Sequence, residues 1–238
     1  MSYAENPYRS PMGDFAALAA VEDRAGFITK TYVHLAGAIG LFVALEAVLL
    51  NMPGVENLVQ LMIGNRLSWF VVLGLFMGVS YIADNWARSA TNPGTQYLGL
   101  ALYVVAESIL FVPLLYIAGR IDPSIIPSAA VATIGLFAVM TAAVFITRKD
   151  FSFLRTFLVF AGFAALGLIV VSMLFNFALG ALFIYAMIAL ACGYILYDTS
   201  NVLHHYRIGQ HVAAALALFA SVALLFWYIV QLFMSRRN

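Results

Sequence analysis

The stretch CGYILYDTSNVLHHYR, residues 192–207, ends a long apolar run with groups that can carry charge or bind an ion. Tyr194, Asp198, Asn201 and His205 follow one another at helical intervals, so they share one stripe. Glu107 is a second such group, near the midpoint of YLGLALYVVAESILFVPLLYIAG, with Tyr103 one turn earlier on the same face. A charged side chain at the centre of a membrane helix costs about 2.5 kcal/mol or more, so such groups turn toward protein or water. For Glu107 this leaves two roles, a protonatable or cation-binding group or a neutral acid bonded to a neighbouring helix. Asp198 is either an ion-linked switch or a carboxylate at headgroup level paired with a loop arginine. Glu46, close to the outer end of the first apolar segment, reaches the interface, and His34, near Lys30, reads as a structural histidine.

The elements that must position these groups follow from composition. Of 238 residues, 64% are hydrophobic and 10% charged, with a mean hydropathy of +0.96. A soluble domain carries about 25% charge, so lipid must be the solvent for much of this chain. A spanning helix needs about 20 mostly apolar residues. Seven segments qualify: 27–50, 67–84, 97–118, 126–147, 153–175, 178–200 and 211–234. Their long unbroken runs predict helices, since barrel strands alternate over roughly ten residues and only helices satisfy their own backbone groups in lipid. Pro113, beyond Glu107, removes a backbone hydrogen bond near the centre of the third span. GLFMG (Gly74, Gly78) and AGFAALG (Gly162, Gly167) predict close helix packing within the bundle, with dimerisation through Gly74 and Gly78 as the alternative. The expected organisation is an N-terminal tail, 1–26, and a membrane domain, 27–238. Within the tail, DFAALAAV reads as a short surface helix or an unstructured arm.

Seven spans place Arg9, Arg24, Lys30, Arg88, Arg148, Lys149, Arg155 and Arg207 on one side and Arg66, Arg120, Arg236 and Arg237 on the other. The basic excess predicts a cytoplasmic N-terminus, unless the sixth or seventh segment re-enters instead of crossing. The net charge of +1 argues against a nucleic-acid partner. A single cysteine, Cys192, excludes a disulfide within the chain. There is no HExxH, no paired Cys/His set, no GxxxxGK[ST], no GxGxxG and no GxSxG. The expectation is a protein that is not an enzyme and holds no cofactor. An intramembrane hydrolase would need a His brought to Ser80 or Ser221.

Two further stretches carry a resemblance. TRKDFSFLRTFL, residues 147–158, links the fourth and fifth spans, and GYILYDTSNVLHH, residues 193–205, ends the sixth. In this order, with seven spans in a small chain, they are similar to the Bax inhibitor-1 (transmembrane Bax-inhibitor-motif) family over residues 27–234, and within it to the bacterial YccA-like branch. The resemblance implies an all-α membrane bundle in which six helices surround a central seventh. It also implies a pH-sensitive calcium leak, with the sixth-span aspartate in a carboxylate pair. Asp198 takes the first place of that pair. The last span has no acidic residue, and Ser221 falls at the second place. The family also holds the first aspartate with a basic residue after the second span, for which Arg88 is the nearest match. Without a second carboxylate in the last span, the repulsion that makes two acids share a proton is missing.

The function expected is therefore a multi-pass inner-membrane cation leak with Asp198 as protonation switch. Its path would involve Asp198, Glu107, Arg88, Asn201 and Ser221, with Ser221, Tyr228 and Gln231 on one face of the last span. No calcium motif is visible, so Ca2+ would bind only transiently, at Asp198 and Glu107. The alternative is a non-transporting modulator of the membrane AAA protease FtsH, a partner that the resemblance implies, with the N-terminal tail as its handle.

Overall fold

The computed structural model describes residues 13–89 and 92–237. Residues 1–12 of the expected tail lie outside this range. Eight helices are described: α1 (Val21–Asn51), α2 (Val55–Ile63), α3 (Arg66–Ala87), α4 (Pro93–Ile121), α5 (Ile125–Thr147), α6 (Leu154–Phe175), α7 (Gly180–His204) and α8 (His211–Ser235). Seven of them, all but α2, are long and apolar enough to cross a membrane. They coincide with the seven predicted segments to within a few residues. The sixth and seventh segments, α7 and α8, are each one unbroken helix of 25 residues.

Local signals account for several helix ends. Asn65 caps α3, its side-chain oxygen accepting from the Ser68 N–H at 2.8 Å. Asn92 caps α4 in the same way toward Gly94 and Thr95, with Pro93 at the first helical position. Pro113 sits inside α4, which continues as one helix to Ile121.

The short α2 was not expected from the sequence. Gly54, at φ 87°, starts it in the left-handed region that glycine adopts freely. Val55, Val59 and Met62 then form a buried stripe. Glu56 ties this helix to α4 by accepting from the Tyr116 hydroxyl at 2.7 Å and from Arg120.

α8 is the central helix. In its most apolar 18-residue stretch 67% is buried, against 56% for α4 and only 6% for α3. Its sequence explains this: between His211 and Ser235 there is no Lys, Arg, Asp or Glu, and small Ala residues allow close approach on several faces. α1, α3, α4, α5 and α7 pack against it, whereas α6 leans mainly on α7. Phe42 of α1 meets Phe111, Phe219 and Phe226 edge-on and ties α1, α4 and α8 together.

The glycines behave differently from expectation. A Cβ built on Gly74, Gly78 or Gly167 meets nothing within 4 Å, so these do not mediate close packing inside the bundle. Gly162 does sit close to the Tyr194 hydroxyl, at 2.7 Å from its ideal Cβ. The tightest helix contact is instead at Gly99 of α4, whose Cβ would lie 2.5 Å from the Ala83 carbonyl oxygen and 2.6 Å from the Ala87 nitrogen.

Val21 begins α1, so the helix includes the last six residues of the expected tail. The segment before it is not a surface helix. It docks on the α7–α8 loop: the Ala16 N–H donates to the Tyr206 carbonyl at 2.8 Å and the Ile208 N–H to the Asp14 carbonyl at 2.9 Å. Arg207 stacks over the Phe15 ring, 4.3 Å from its centroid.

Candidate functional site

α7 and α8 bring Asp198 and Ser221 together. Ser221 Oγ donates to Asp198 Oδ2 at 2.5 Å, and both residues are buried. Ser221 is ten residues into α8, about 15 Å along its axis from the N-terminal end. This bond therefore joins two spans inside the bundle, away from lipid.

Arg88 follows α3 and makes its ion pair with Asp84, Nε to Oδ2 at 2.8 Å, one turn back on the same helix. Its charge remains within electrostatic reach of Asp198 and Tyr206. The partner expected for Arg88 from the resemblance was Asp198. The local pair forms because positions four apart on a helix are neighbours, whereas reaching Asp198 requires crossing to another helix. Tyr206, in the α7–α8 loop, is buried beside these groups. Burial pushes its hydroxyl above the usual tyrosine range, so it stays neutral.

The polar stripe of α7 divides among three neighbours. The Tyr194 hydroxyl donates to the Leu158 carbonyl of α6 at 2.9 Å. Asp198 meets α8. His205, just past the helix end, donates from Nε2 to Asp150 Oδ2 at 3.0 Å. Asn201 is half-buried, and its backbone carbonyl accepts from the N–H groups of His205 and Tyr206.

Asp150 lies in the TRKDFSFL stretch that carried the resemblance, and Ser200 in YDTSN. Ser200 Oγ accepts from the Phe151 N–H at 2.9 Å and donates to Asp150 at 3.4 Å. The two motifs are thus one strap that ties the α5–α6 loop to the end of α7. Burial pushes the Asp150 carboxyl up, but hydrogen bonds from Ser152 and the His205 partner outweigh it and hold the carboxyl below its usual range. A depressed carboxylate stabilises the fold above about pH 4 and loses that contribution as pH falls through the folded value. The pair is about half exposed, so Asp150→Asn is expected to lower stability by less than about 1 kcal/mol at neutral pH. The deficit relative to wild type should shrink as pH falls below about 4 and Asp150 takes up its proton, read from melting curves in detergent.

Glu107 is buried in α4, and its Oε2 has no hydrogen-bond partner among the described residues. Tyr103 lies one turn away on the same helix. Both line a cavity of about 700 Å3 between α3, α4, α6, α7 and α8. Ser221 and Tyr194 also line it, and it continues past Tyr228 and Gln231 to Ser235 at the C-terminal end of α8. Through Ser221, the Asp198 bond lies at the inner wall of the cavity that holds Glu107. Asp198 and Glu107 are joined by that route, not by direct contact.

Glu46 does not reach the interface. It is 5% exposed and continues the buried stripe of Phe27, Thr31, Leu35, Ala38 and Phe42 on α1, and neither carboxyl oxygen has a partner among the described residues. His34 bonds the Lys30 carbonyl through Nδ1 at 2.6 Å and packs against Tyr97 and His211. Among the described residues no three His, Cys, Asp or Glu side chains cluster as metal ligands. Ser221 has a carboxylate partner, and the Ser80 hydroxyl has none among the described residues. Asp84, Asp150, Ser200 and Tyr206 were not singled out from sequence. Asp84 was readable as the i−4 neighbour of Arg88, and Asp150 lay inside a quoted motif.

A family model described as "Inhibitor of apoptosis-promoting Bax1" matches residues 24–238. The chain is 27% identical to "Bax inhibitor 1" of Schizosaccharomyces pombe, over 97% of this chain and 85% of that protein. It is 30% identical to an uncharacterized protein of Pseudomonas aeruginosa, over 69% of this chain and 73% of the relative. It is 26% identical to the "Golgi anti-apoptotic protein" of Vaccinia virus, over 92% of this chain and 90% of the viral protein.

Proposed function

The chain belongs to the Bax inhibitor-1 family, and on that premise we propose that it is a pH-sensitive cation leak, with calcium as cargo and Asp198 as the protonation switch. The single observation that carries this reading is the buried bond between Asp198 and Ser221 at the inner wall of the cavity holding Glu107. While Asp198 is ionised, the bond is charge-assisted and holds α7 against α8. Protonation weakens it and lets the bundle part around α8 at the end where α7 finishes and α8 begins. Ions then pass between that end and the cavity, where Glu107, Ser221 and Gln231 supply oxygens. Calcium needs several such ligands, and the few present favour passage over retention.

Calcium entry into liposomes holding the purified protein tests this. Flux above that of protein-free liposomes, rising as pH falls, is expected. Ser221→Ala, which removes the donor to Asp198, should raise flux at neutral pH by a few-fold, the value of one charge-assisted hydrogen bond partly offset by relaxation. Flux equal to protein-free liposomes at every pH would reject conduction. In this reading the protein sits in a bacterial inner membrane, in the YccA-like branch, with the N-terminal tail and the Asp150–His205 strap on the cytoplasmic side.

A second reading is favoured by the docked tail. The backbone bonds from residues 14–16 to residues 206–208 fasten the tail to the loop just past Asp198. A partner that grips the tail, such as the membrane protease FtsH, would act on the same end of the bundle without any ion crossing. Because α1 starts at Val21, deleting residues 1–26 would damage the first span, so deletion of 1–12 is the cleaner test. Loss of a co-purifying protease on that deletion, with flux at background in the intact chain, would favour modulation over transport.

A further inference from the structure

The cavity beside Glu107 has more aromatic and apolar wall than an ion path needs. Three aromatic pairs bridge the helices around it. Trp69 of α3 lies nearly parallel to Trp227 of α8 at 6.4 Å between centroids. Phe76 of α3 meets Tyr103 of α4 at 6.0 Å. Phe183 of α7 meets Tyr228 of α8 edge-on at 6.1 Å. All six rings line the cavity. On the same wall sits Glu107, 6% exposed, with Oε2 lacking any partner among the described residues. The volume of about 700 Å3 lies within the range of small-molecule sites.

The geometry points to a binding site for a hydrophobic organic cation, a quaternary ammonium or protonated amine, held by the aromatic walls and paired with Glu107. Each component has a physical reason. Aromatic faces carry negative potential and attract a poorly hydrated cation, and several rings around one space act together. A bulky ammonium gives up little hydration on entering an apolar cavity, unlike calcium, whose small, strongly charged ion needs many oxygens. A buried carboxylate without a counter-charge is costly, and a cation beside Glu107 supplies that charge. A plain lipid tail would fill the space but would bring no charge to balance Glu107. This site does not depend on conduction, because a protein that only modulates a protease would carry the same cavity.

The test is binding, not flux. Phenyltrimethylammonium and its neutral isostere tert-butylbenzene have the same shape and differ in charge. Two of the three tryptophans, Trp69 and Trp227, line the cavity, so in a Trp86→Phe variant indole fluorescence reports on it directly. Titrations of that variant in lipid nanodiscs should show saturable binding of the ammonium and at least about tenfold weaker binding of the isostere, as expected when a buried charge pair is lost. Glu107→Gln should weaken ammonium binding by about tenfold and leave the isostere unchanged. Removing one wall ring with Trp69→Leu should weaken it by roughly two- to fivefold. If Glu107→Gln does not fold, the comparison of the two probes on the unsubstituted carboxylate still decides. Equal binding of cation and isostere, or no saturable binding of the ammonium at millimolar concentration, would overturn the proposal and leave the cavity as a lipid-filled cleft.

Discussion

Replacing Asp198 with Asn is expected to make calcium flux high at neutral pH and independent of pH. In the wild type, the Ser221 hydroxyl donates to a buried carboxylate at 2.5 Å. A hydrogen bond to a charged acceptor contributes about 1.5–3 kcal/mol, and one between neutral groups about 0.5–1.5 kcal/mol. The Asn carbonyl still accepts from Ser221, so the helices remain aligned, but the latch weakens by on the order of 1.4 kcal/mol. That corresponds to a shift of about tenfold in the ratio of closed to open. Asn also cannot lose a proton, so the variant is held in the condition that protonation produces in the wild type. Flux through the wild type should approach that of the variant at low pH, whereas variant flux should be flat across the same range. Stopped-flow measurement of a calcium dye trapped in liposomes distinguishes the two. Identical pH profiles for both proteins would remove Asp198 from the switch and leave its bond to Ser221 as packing. Arg88 adds a control. Because its direct partner is Asp84, Arg88→Gln should change the pH profile less than Asp198→Asn does.

Gly99→Ala should be among the most damaging single-methyl additions to this protein. The new Cβ would meet the Ala83 carbonyl oxygen at 2.5 Å, the Ala87 nitrogen at 2.6 Å and the Trp86 Cβ at 3.0 Å. Two of these three atoms are backbone, so no side chain can rotate away and α3 must separate from α4. Overpacking of this kind costs about 1–3 kcal/mol, and the upper end applies where helices must move. By the scaling for chains of this size the melting temperature would fall by roughly 6–12 °C. The separation would also widen the α3–α4 wall of the cavity. Gly74→Ala and Gly78→Ala are the matched controls, since nothing lies within 4 Å of either position. They should melt at or slightly above the wild type, because alanine is the better helix former by about 1 kcal/mol. A Gly99→Ala protein that melts with the controls would mean that α3 and α4 are less closely packed than the structure shows.

These glycines illustrate where sequence reading stops. Gly74 and Gly78 have the spacing of a contact motif and Gly99 has none, yet only Gly99 touches a neighbouring backbone. Spacing shows that residues share a face, and it does not show what that face meets. Glu46 teaches the same point. Its position along α1 suggested access to the interface, but its rotation about the helix axis turns it into the buried stripe. For Arg88, a neighbour on its own helix takes the ion pair that a more distant residue was expected to make.

The amino-acid sequence by itself determined the membrane class, the seven spans, the family resemblance, and that Glu107 and Asp198 lie within apolar segments. Those properties depend on the length and polarity of contiguous segments, and lipid imposes them on each helix separately. The resemblance set Ser221 opposite Asp198; only the tertiary structure decided that Ser221 and Glu107 face one cavity, that two distant motifs join as the Asp150–His205 strap, and that α2 folds against α4. Each of these depends on how helices far apart in the chain are rotated and packed against one another. A helix with apolar residues on every side carries little record of that rotation in its own sequence.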